Sequence, residues 1–291
     1  MTTTKGDEKR MHTEERWTTV ITADDRNLKK EVTELWNYRE LIKMFVKRDV
    51  KTMYAQTILG PLWFVVHSIL SASVMTLVFD KIAGISTDGI PGFLFYMVGN
   101  VLWLNFSGCV TSVSETFLKN ARLMGKVYFP RLSVPIATII SKQIRFLIQF
   151  AVFLLLYFGM VLRGDAVVHW GILITPVLMV ELMLLAFGCG VLLTSFTTKY
   201  RDLSVLVTFL LQIWMYATPI VYPISQVPKH LQTLFLCNPV APIVETFRTV
   251  WLGNGQISWL FLGISLMETL VIVVTGICLF QKVQRSFIDT V

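Results

Sequence analysis

The sequence predicts an all-α polytopic membrane protein with six transmembrane helices per subunit. Three observations predict it. Of the 291 residues, 54% are hydrophobic and only 15% charged, whereas a soluble domain carries about 25% charged residues. Six stretches approach the roughly 20 mostly apolar residues that a spanning helix needs. Alternating-polarity segments of about 10 residues, the mark of an outer-membrane barrel, are not seen.

The spans follow in order. Residues 58–79 and 89–114 contain no Asp, Glu, Lys or Arg. The third, about 136–162, is charged only at Lys142 and Arg145. The fourth, about 171–195, is interrupted by Glu181, the fifth covers about 203–221, and the sixth, about 257–280, is interrupted by Glu268. Ahead of them, residues 1–27 form a polar extension. In 28–57, Leu28, Val32, Leu35, Ile42, Phe45 and Met53 recur at helical spacing among lysines, the pattern of an amphipathic helix on the membrane interface. The same pattern also fits packing on a partner. Gly60 and Pro61 turn the chain into the first span, within a transmembrane domain over 58–291.

The segment 222–256 is cut by Pro223, Pro228, Pro239 and Pro242. Its apolar pieces, about 231–237 and 243–252, are too short to span, which fits re-entrant short helices before the last span. Trp251 and Trp259 suit a headgroup belt.

Basic residues set the orientation. Twelve lie in 1–60, four in 115–135, two in 196–202 and two in 281–291. The alternate loops carry Lys81, Arg163, Lys229 and Arg248. Both termini are therefore expected in the cytoplasm, and the amino terminus lacks the basic-then-apolar pattern of a cleaved signal. The net charge of +7 reflects this bias rather than a nucleic-acid surface.

Cys109, Cys189, Cys237 and Cys278 share no CxxC spacing and read as small buried residues. The four histidines are scattered, so no metal site and no Ser-His-Asp arrangement is expected. No GxxxxGK[S/T] phosphate loop occurs; ATP, if used, is bound by another chain. No repeat relates the two halves, as secondary transporters often show. Six helices hardly enclose a wide path alone, and a homodimer supplies twelve around a two-fold axis. Gly188 and Gly190, with Ala186, permit close helix approach.

Six motifs occur in order: "RDVKTMYAQTILGPLWFVV" (48–66), "NARLMGKVYFPRLSVP" (120–135), "YRDL" (200–203), "ATPIVYP" (217–223), "NPVAPIVETFR" (238–248) and "FIDTV" (287–291). Over roughly residues 35–291 this series resembles the permease subunit of bacterial ABC exporters for lipid-linked polysaccharide, the O-antigen, capsule and teichoic-acid permeases. The resemblance implies a homodimer in the cytoplasmic (inner) membrane with two copies of a separate ATPase subunit. It implies no catalytic residue or cofactor in this chain, ATP and Mg being held by the partner, and a polymer carried on undecaprenyl diphosphate. It implies a cytoplasmic coupling helix at about 115–130 and an external hairpin at about 222–256. The extension before residue 28 is longer than the family's and is assigned no role.

Within this frame, Arg122, Lys126, Tyr128, Phe129, Arg131, Arg201 and Asp202 are the expected ATPase-coupling residues. Pro130 is expected to end the coupling helix, because the residue before a proline disfavours the helical region. Lys142 and Arg145 share one helix face at i and i+3. Charges at that depth face a cavity or a partner, which would let them guide the lipid diphosphate; long side chains reaching for the interface is the other reading. Glu181 is a further candidate on the substrate path, and pairing of Glu181 or Glu268 with Lys142 or Arg145 stays open. Phe95, Trp103 and Tyr216 are the candidate aromatic lining for a sliding sugar chain, against ordinary packing. A membrane-embedded glycosyl- or acyltransferase would want convergent His, Asp or Glu residues, and an ion-coupled transporter would want inverted repeats.

Overall fold

The computed structural model describes residues 28–55, 58–124, 129–164, 170–200, 202–253, 255 and 257–288, and among these every regular element is helical. Helices α1 (Leu28–Asn37) and α2 (Arg39–Tyr54) precede α3 (Leu62–Met75), which continues as a π-helical stretch to Ile82. Then come α4 (Gly92–Ser114), α5 (Thr116–Met124) and α6 (Ser133–Arg163). The second half holds α7 (Thr175–Thr197), α8 (Leu203–Tyr216), α9 (Lys229–Leu236), α10 (Val240–Leu252) and α11 (Trp259–Ile288).

The breaks follow local chemistry. Pro61, Pro91, Pro228 and Pro239 each sit just before a helix, where a fixed φ and a missing N–H cost nothing. Gly164 and Gly253 end α6 and α10 in the left-handed region, at φ 80° and 79°, a conformation that a side chain disfavours.

Among the described residues, five helical segments are long and apolar enough to cross a membrane: Leu62–Ile82, Gly92–Ser114, Ser133–Arg163, Trp170–Thr197 and Trp259–Val283. These match five of the six expected spans. The fifth expected span, about 203–221, holds only the 14-residue helix α8. At about 1.5 Å per residue it falls short of a bilayer core about 30 Å thick. Residues 217–223, "ATPIVYP", leave the helix. Pro219 disfavours helical backbone at the residue before it, and Arg248 takes the carbonyls of Pro219 and Ile220.

Helix α4 is the axis of the bundle, almost wholly buried against α3, α6, α7, α8 and α10. Helix α7 packs on α4 and α11 through its glycines. A Cβ at Gly190 would stand 2.6 Å from Val113 Cβ, and one at Gly188 would stand 2.9 Å from the Val273 backbone nitrogen. The sequence expectation for these two glycines holds. Helices α3, α6 and α11 instead leave rows of large apolar side chains uncovered, among them Leu70, Leu147, Leu155, Met267 and Val271.

Helix α2 lies on α6. Phe45 is buried, edge-on to Phe129 at 5.7 Å, so α2 spends its apolar face on the protein. The segment 229–252 forms two short helices as expected, and α10 is buried among α4, α7 and α11. Trp251 is not a headgroup-belt residue. It is 5% exposed, packs with Phe150, Phe153, Tyr157 and Phe247, and donates through Nε1 to Thr175 Oγ1 at 3.0 Å. Trp259 is exposed. Cys109 and Cys189 are buried as expected, but Cys237 and Cys278 are exposed; the apolar runs carrying them turn one side outward.

Candidate functional site

Two polar features meet at Lys142. The first is a seam between α4 and α6. Lys142, Arg145 and Gln149 on α6 face Asn105 and Gly108 on α4 around a cavity of only about 10 Å³. Asn105 Nδ2 donates to Gln143 Oε1 at 3.4 Å. Arg145 lies over the Phe64 ring of α3, its guanidinium carbon 5.0 Å from the centroid. The Nε of Arg145 and the Nε2 of Gln149 are buried without hydrogen-bond partners. A buried donor without a partner costs on the order of 1–3 kcal/mol, so the seam holds unspent hydrogen-bonding capacity.

The second feature is a cleft of about 420 Å³ where α2, α5 and α6 converge. Arg48 and Thr52 of α2, Lys119 and Asn120 of α5, and Ser141 and Lys142 of α6 line it. Arg48 pairs with Asp49 at 2.8 Å and reaches Asn120 Oδ1 at 3.4 Å, and Lys119 pairs with Glu115 at 2.6 Å. Lys142 lines both cleft and seam. A cation thus stands where the wide cleft narrows into the bundle.

The end of the bundle that bears α5 is tied laterally. Thr194 Oγ1 lies 2.8 Å from the Val113 carbonyl, and Thr197 Oγ1 lies 2.5 Å from the Ser114 carbonyl. Phe117 of α5 packs on Phe280 of α11, centroids 5.0 Å apart. The threonines tie α7 to the end of α4, from which α5 continues, and Phe117 joins α5 itself to α11. These ties were not legible in the sequence: threonines in apolar helices read as ordinary span residues.

The expected coupling residues divide. Arg122 falls in α5, where its side chain is outside the described residues, as are Lys126, Tyr128 and Arg201. The helix is described to Met124, and Phe129 and Pro130 are non-helical. Phe129 is buried against Phe45 rather than presented at a surface. Arg131 is half-buried, and Asp202 is exposed at the start of α8.

Among the path candidates, Glu181 is 4% exposed and accepts from Ser265 Oγ of α11 at 2.7 Å. That hydroxyl also lies 2.7 Å from the Pro239 carbonyl, and its single proton serves one acceptor at a time. Ion pairs among the described residues do not join Glu181 or Glu268 to Lys142 or Arg145. Phe95 and Trp103 are core residues, 1% and 4% exposed. Trp103 stands edge-on to Trp214 at 6.4 Å, and Phe95 lies beneath Arg248. Tyr216 alone of the three is exposed.

The opposite end of α4 holds a constellation that sequence reasoning missed. Arg248 is 2% exposed. Its Nη1 donates to the Pro219 carbonyl at 2.5 Å and to Glu245 Oε1 at 3.1 Å, and its Nη2 donates to the Ile220 carbonyl at 2.6 Å. The available signal was the i, i+3 spacing of Glu245 and Arg248 in an otherwise apolar stretch. Burial pushes the Glu245 carboxyl above the usual carboxylate range, and Arg248 only partly opposes this.

Residues 40–252 match the ABC-2 type transporter family. The chain is similar to the O-antigen export system permease protein RfbA of Klebsiella pneumoniae, 23% identical over 86% of this chain and 94% of that protein. It is similar to the Myxococcus xanthus protein of the same description, 27% identical over 76% of this chain and 83% of that one. It is also similar to the polysialic acid transport protein KpsM of Escherichia coli, 22% identical over 84% and 93%. With the matched region running from the lining of the cleft through the helices of the seam to the Glu245–Arg248 pair, the chain belongs to the ABC-2 type transporter family of membrane proteins.

Proposed function

We propose that this chain is the channel-forming subunit of an ATP-driven exporter that moves undecaprenyl-diphosphate-linked polysaccharide of the O-antigen type across the bacterial cytoplasmic membrane. It acts as a homodimer with two copies of a separate nucleotide-binding subunit, which supplies ATP hydrolysis. The observation that carries this reading is similarity to O-antigen export permeases over 86% and 76% of the chain, joined to a cleft lined by Arg48, Asp49, Lys119 and Lys142. Both termini and the α5 end face the cytoplasm, where the basic residues concentrate, and the α9–α10 hairpin dips back from the outer face.

In this reading α5 is the handle. ATPase closure displaces α5; Phe117 passes the displacement to α11, and the Thr194 and Thr197 hydrogen bonds couple α4, from which α5 continues, to α7. Lys142 and Arg145 guide the lipid diphosphate past the narrowing. The uncovered apolar rows of α3, α6 and α11 meet lipid or the second copy. Similarity to the polysialic acid transport protein favours one second reading, a permease for capsule or another amphipathic polymer such as teichoic acid.

The test is depletion of this protein in its native cell, with surface polymer and intracellular undecaprenyl-linked polymer assayed separately. Loss outside with accumulation inside is expected. Loss in both places would point to a biosynthetic membrane transferase, and no change in either would send the search for cargo elsewhere.

A further inference from the structure

At the hairpin end, the loop before α4, the loop after α8, α10 and the start of α11 enclose a cavity of about 180 Å³. Its mouth carries the exposed residues Asp88, Ser225 and Ser258. Glu245 and Thr249 of α10 stand behind them, and buried Phe95 and Arg248 close the inner side. We propose that this cavity is a saccharide subsite, taking one neutral or amino-bearing sugar unit and disfavouring acidic sugars. The proposal rests on the polysaccharide reading above and adds what part of the polymer is held and where.

The chemistry of the lining favours such a ligand over the alternatives. Carboxylates accept from sugar hydroxyls, side-chain hydroxyls accept and donate, and the Phe261 ring in the lining offers an apolar surface for sugar C–H groups. The side chains are already held in place. Ser225 Oγ lies 2.9 and 2.8 Å from the two Asp88 carboxylate oxygens, and Glu245 Oε1 accepts from Arg248. Asp88 adopts φ 53°, a left-handed conformation uncommon outside glycine and more readily taken by Asp and Asn. That backbone turns it to meet Ser225 across 137 residues of chain.

Arg248 supplies an independent sign of a ligand. It is 2% exposed, forms part of the cavity wall, and its Nε has no hydrogen-bond partner. A sugar hydroxyl is a neutral acceptor that satisfies this donor without adding a charge. Charge then sets the selectivity. Asp88 is the exposed charge of the lining, while the Arg248 guanidinium is buried and held by Glu245 and two carbonyls, so a uronate or sialate meets repulsion from the Asp88 carboxylate, and an amino sugar meets attraction.

The experiment uses the full-length chain assembled with its ATPase partner in lipid nanodiscs. Saturation-transfer NMR reads binding of methyl mannoside, glucosamine and glucuronate as separate probes. Transfer to mannoside and glucosamine is expected, with glucuronate at least about fivefold weaker. Ser258→Phe, which puts a bulky ring at an exposed position of the lining, should abolish the signals, and Ser258→Ala should keep them; the thermal midpoint checks that both variants fold. Asp88→Asn, tolerant of the same backbone conformation, should narrow the gap between glucosamine and glucuronate. No transfer to any probe, or full transfer in Ser258→Phe, overturns the subsite. Surface polymer separates the two layers. If depletion abolishes it and Ser258→Phe restores it fully, the export reading stands and the subsite falls. If surface polymer does not depend on the chain, the export reading falls whatever the sugar signals.

Discussion

Arg248 stands over Phe95 with its guanidinium carbon 3.8 Å from the ring centroid. The two residues join α10 to α4, and the same guanidinium holds the carbonyls of Pro219 and Ile220 at the end of α8. A charge buried this deeply is tolerable only when it is paired and hydrogen-bonded. Here one side chain meets an aromatic face, a carboxylate and two carbonyls. It thereby fixes the irregular backbone that replaces the last turns of the expected fifth span.

Removal of that side chain should therefore loosen the hairpin end as a unit. Arg248→Met leaves the Pro219 and Ile220 carbonyls without their donor and Glu245 without its cation, a loss of about 3 kcal/mol. Gly99→Ala should weaken the same place from the other side, because its methyl would stand 2.6 Å from Arg248 Nη2 and 3.1 Å from the Ile220 carbonyl oxygen. Gly108→Ala, which meets open space, is the control. Thermal midpoints in nanodiscs rank the three, and midpoints equal to wild type for Arg248→Met and Gly99→Ala would show that the network holds nothing in place.

The pH response should follow Glu245. Burial raises its carboxyl, Asp88 adds to the shift and Arg248 opposes it. A raised value means that the folded chain binds the proton more tightly than the unfolded chain does. The stabilisation is complete below the unfolded value of about 4.3 and is lost as pH rises through the raised folded value. The midpoint of the wild type should fall across that window, and Glu245→Gln should flatten this part of the curve. Matching slopes in the two proteins would assign the pH dependence to other groups.

Helix packing gives a sharper contrast. Gly188→Ala drives a methyl against the Val273 backbone, and Gly190→Ala drives one against Val113 Cβ. Backbone does not yield as a flexible side chain does, so each should cost roughly 1–3 kcal/mol. Gly263→Ala on the open face of α11 meets nothing within 4 Å and should be neutral. Equal midpoints for all three would mean that α7 can slide away from its neighbours.

The spans were legible because the bilayer demands length and apolarity, both of which a sequence displays. The shortness of α8 was less so. Pro219 is visible in the chain, but the arginine that captures its carbonyl lies 29 residues later. Trp251 was misread because an amphipathic ring has the same composition whether it sits at a headgroup or inside an aromatic cluster. The shared face of Lys142 and Arg145 followed from helical spacing alone. Their partners on α4 did not, since the register of one helix against another is set by packing contacts such as those of Gly190. Phe95 and Trp103 were read as lining, yet aromatic content is silent on which side of a wall a ring stands.

Phe129 links the expected handle to α2 through an edge-on contact with Phe45 at 5.7 Å. Its truncation should act by releasing α2 rather than by removing a surface contact. Phe129→Ala is expected to cost about 3 kcal/mol, near the low end for a buried phenylalanine. Phe45→Ala should cost a similar amount, and the double variant should cost less than the two losses combined. Arg131→Ala should instead weaken co-purification with the ATPase while the thermal midpoint stays near wild type. Additive losses at Phe45 and Phe129, or full co-purification of Arg131→Ala, would break this division of labour.

Lys142 and Arg145 carry the remaining prediction. Lys142 stands where the cleft of about 420 Å³ meets the seam, and Arg145 is held over Phe64 at 5.0 Å with an unpartnered buried Nε. Such a placement favours an anion arriving from the cleft, since a diphosphate accepts from both cations. Charged hydrogen bonds of this kind contribute about 1.5–3 kcal/mol each, and 1.4 kcal/mol is tenfold. Lys142→Gln with Arg145→Gln should therefore lower export at least about tenfold while assembly with the ATPase is unchanged. Arg145→Lys, which keeps the charge but loses the planar fork, should fall between. Export of the double variant at the wild-type rate would reduce both residues to long side chains reaching for the interface, and would move the search for the diphosphate contact to Arg48 and Lys119 on the far wall of the same cleft.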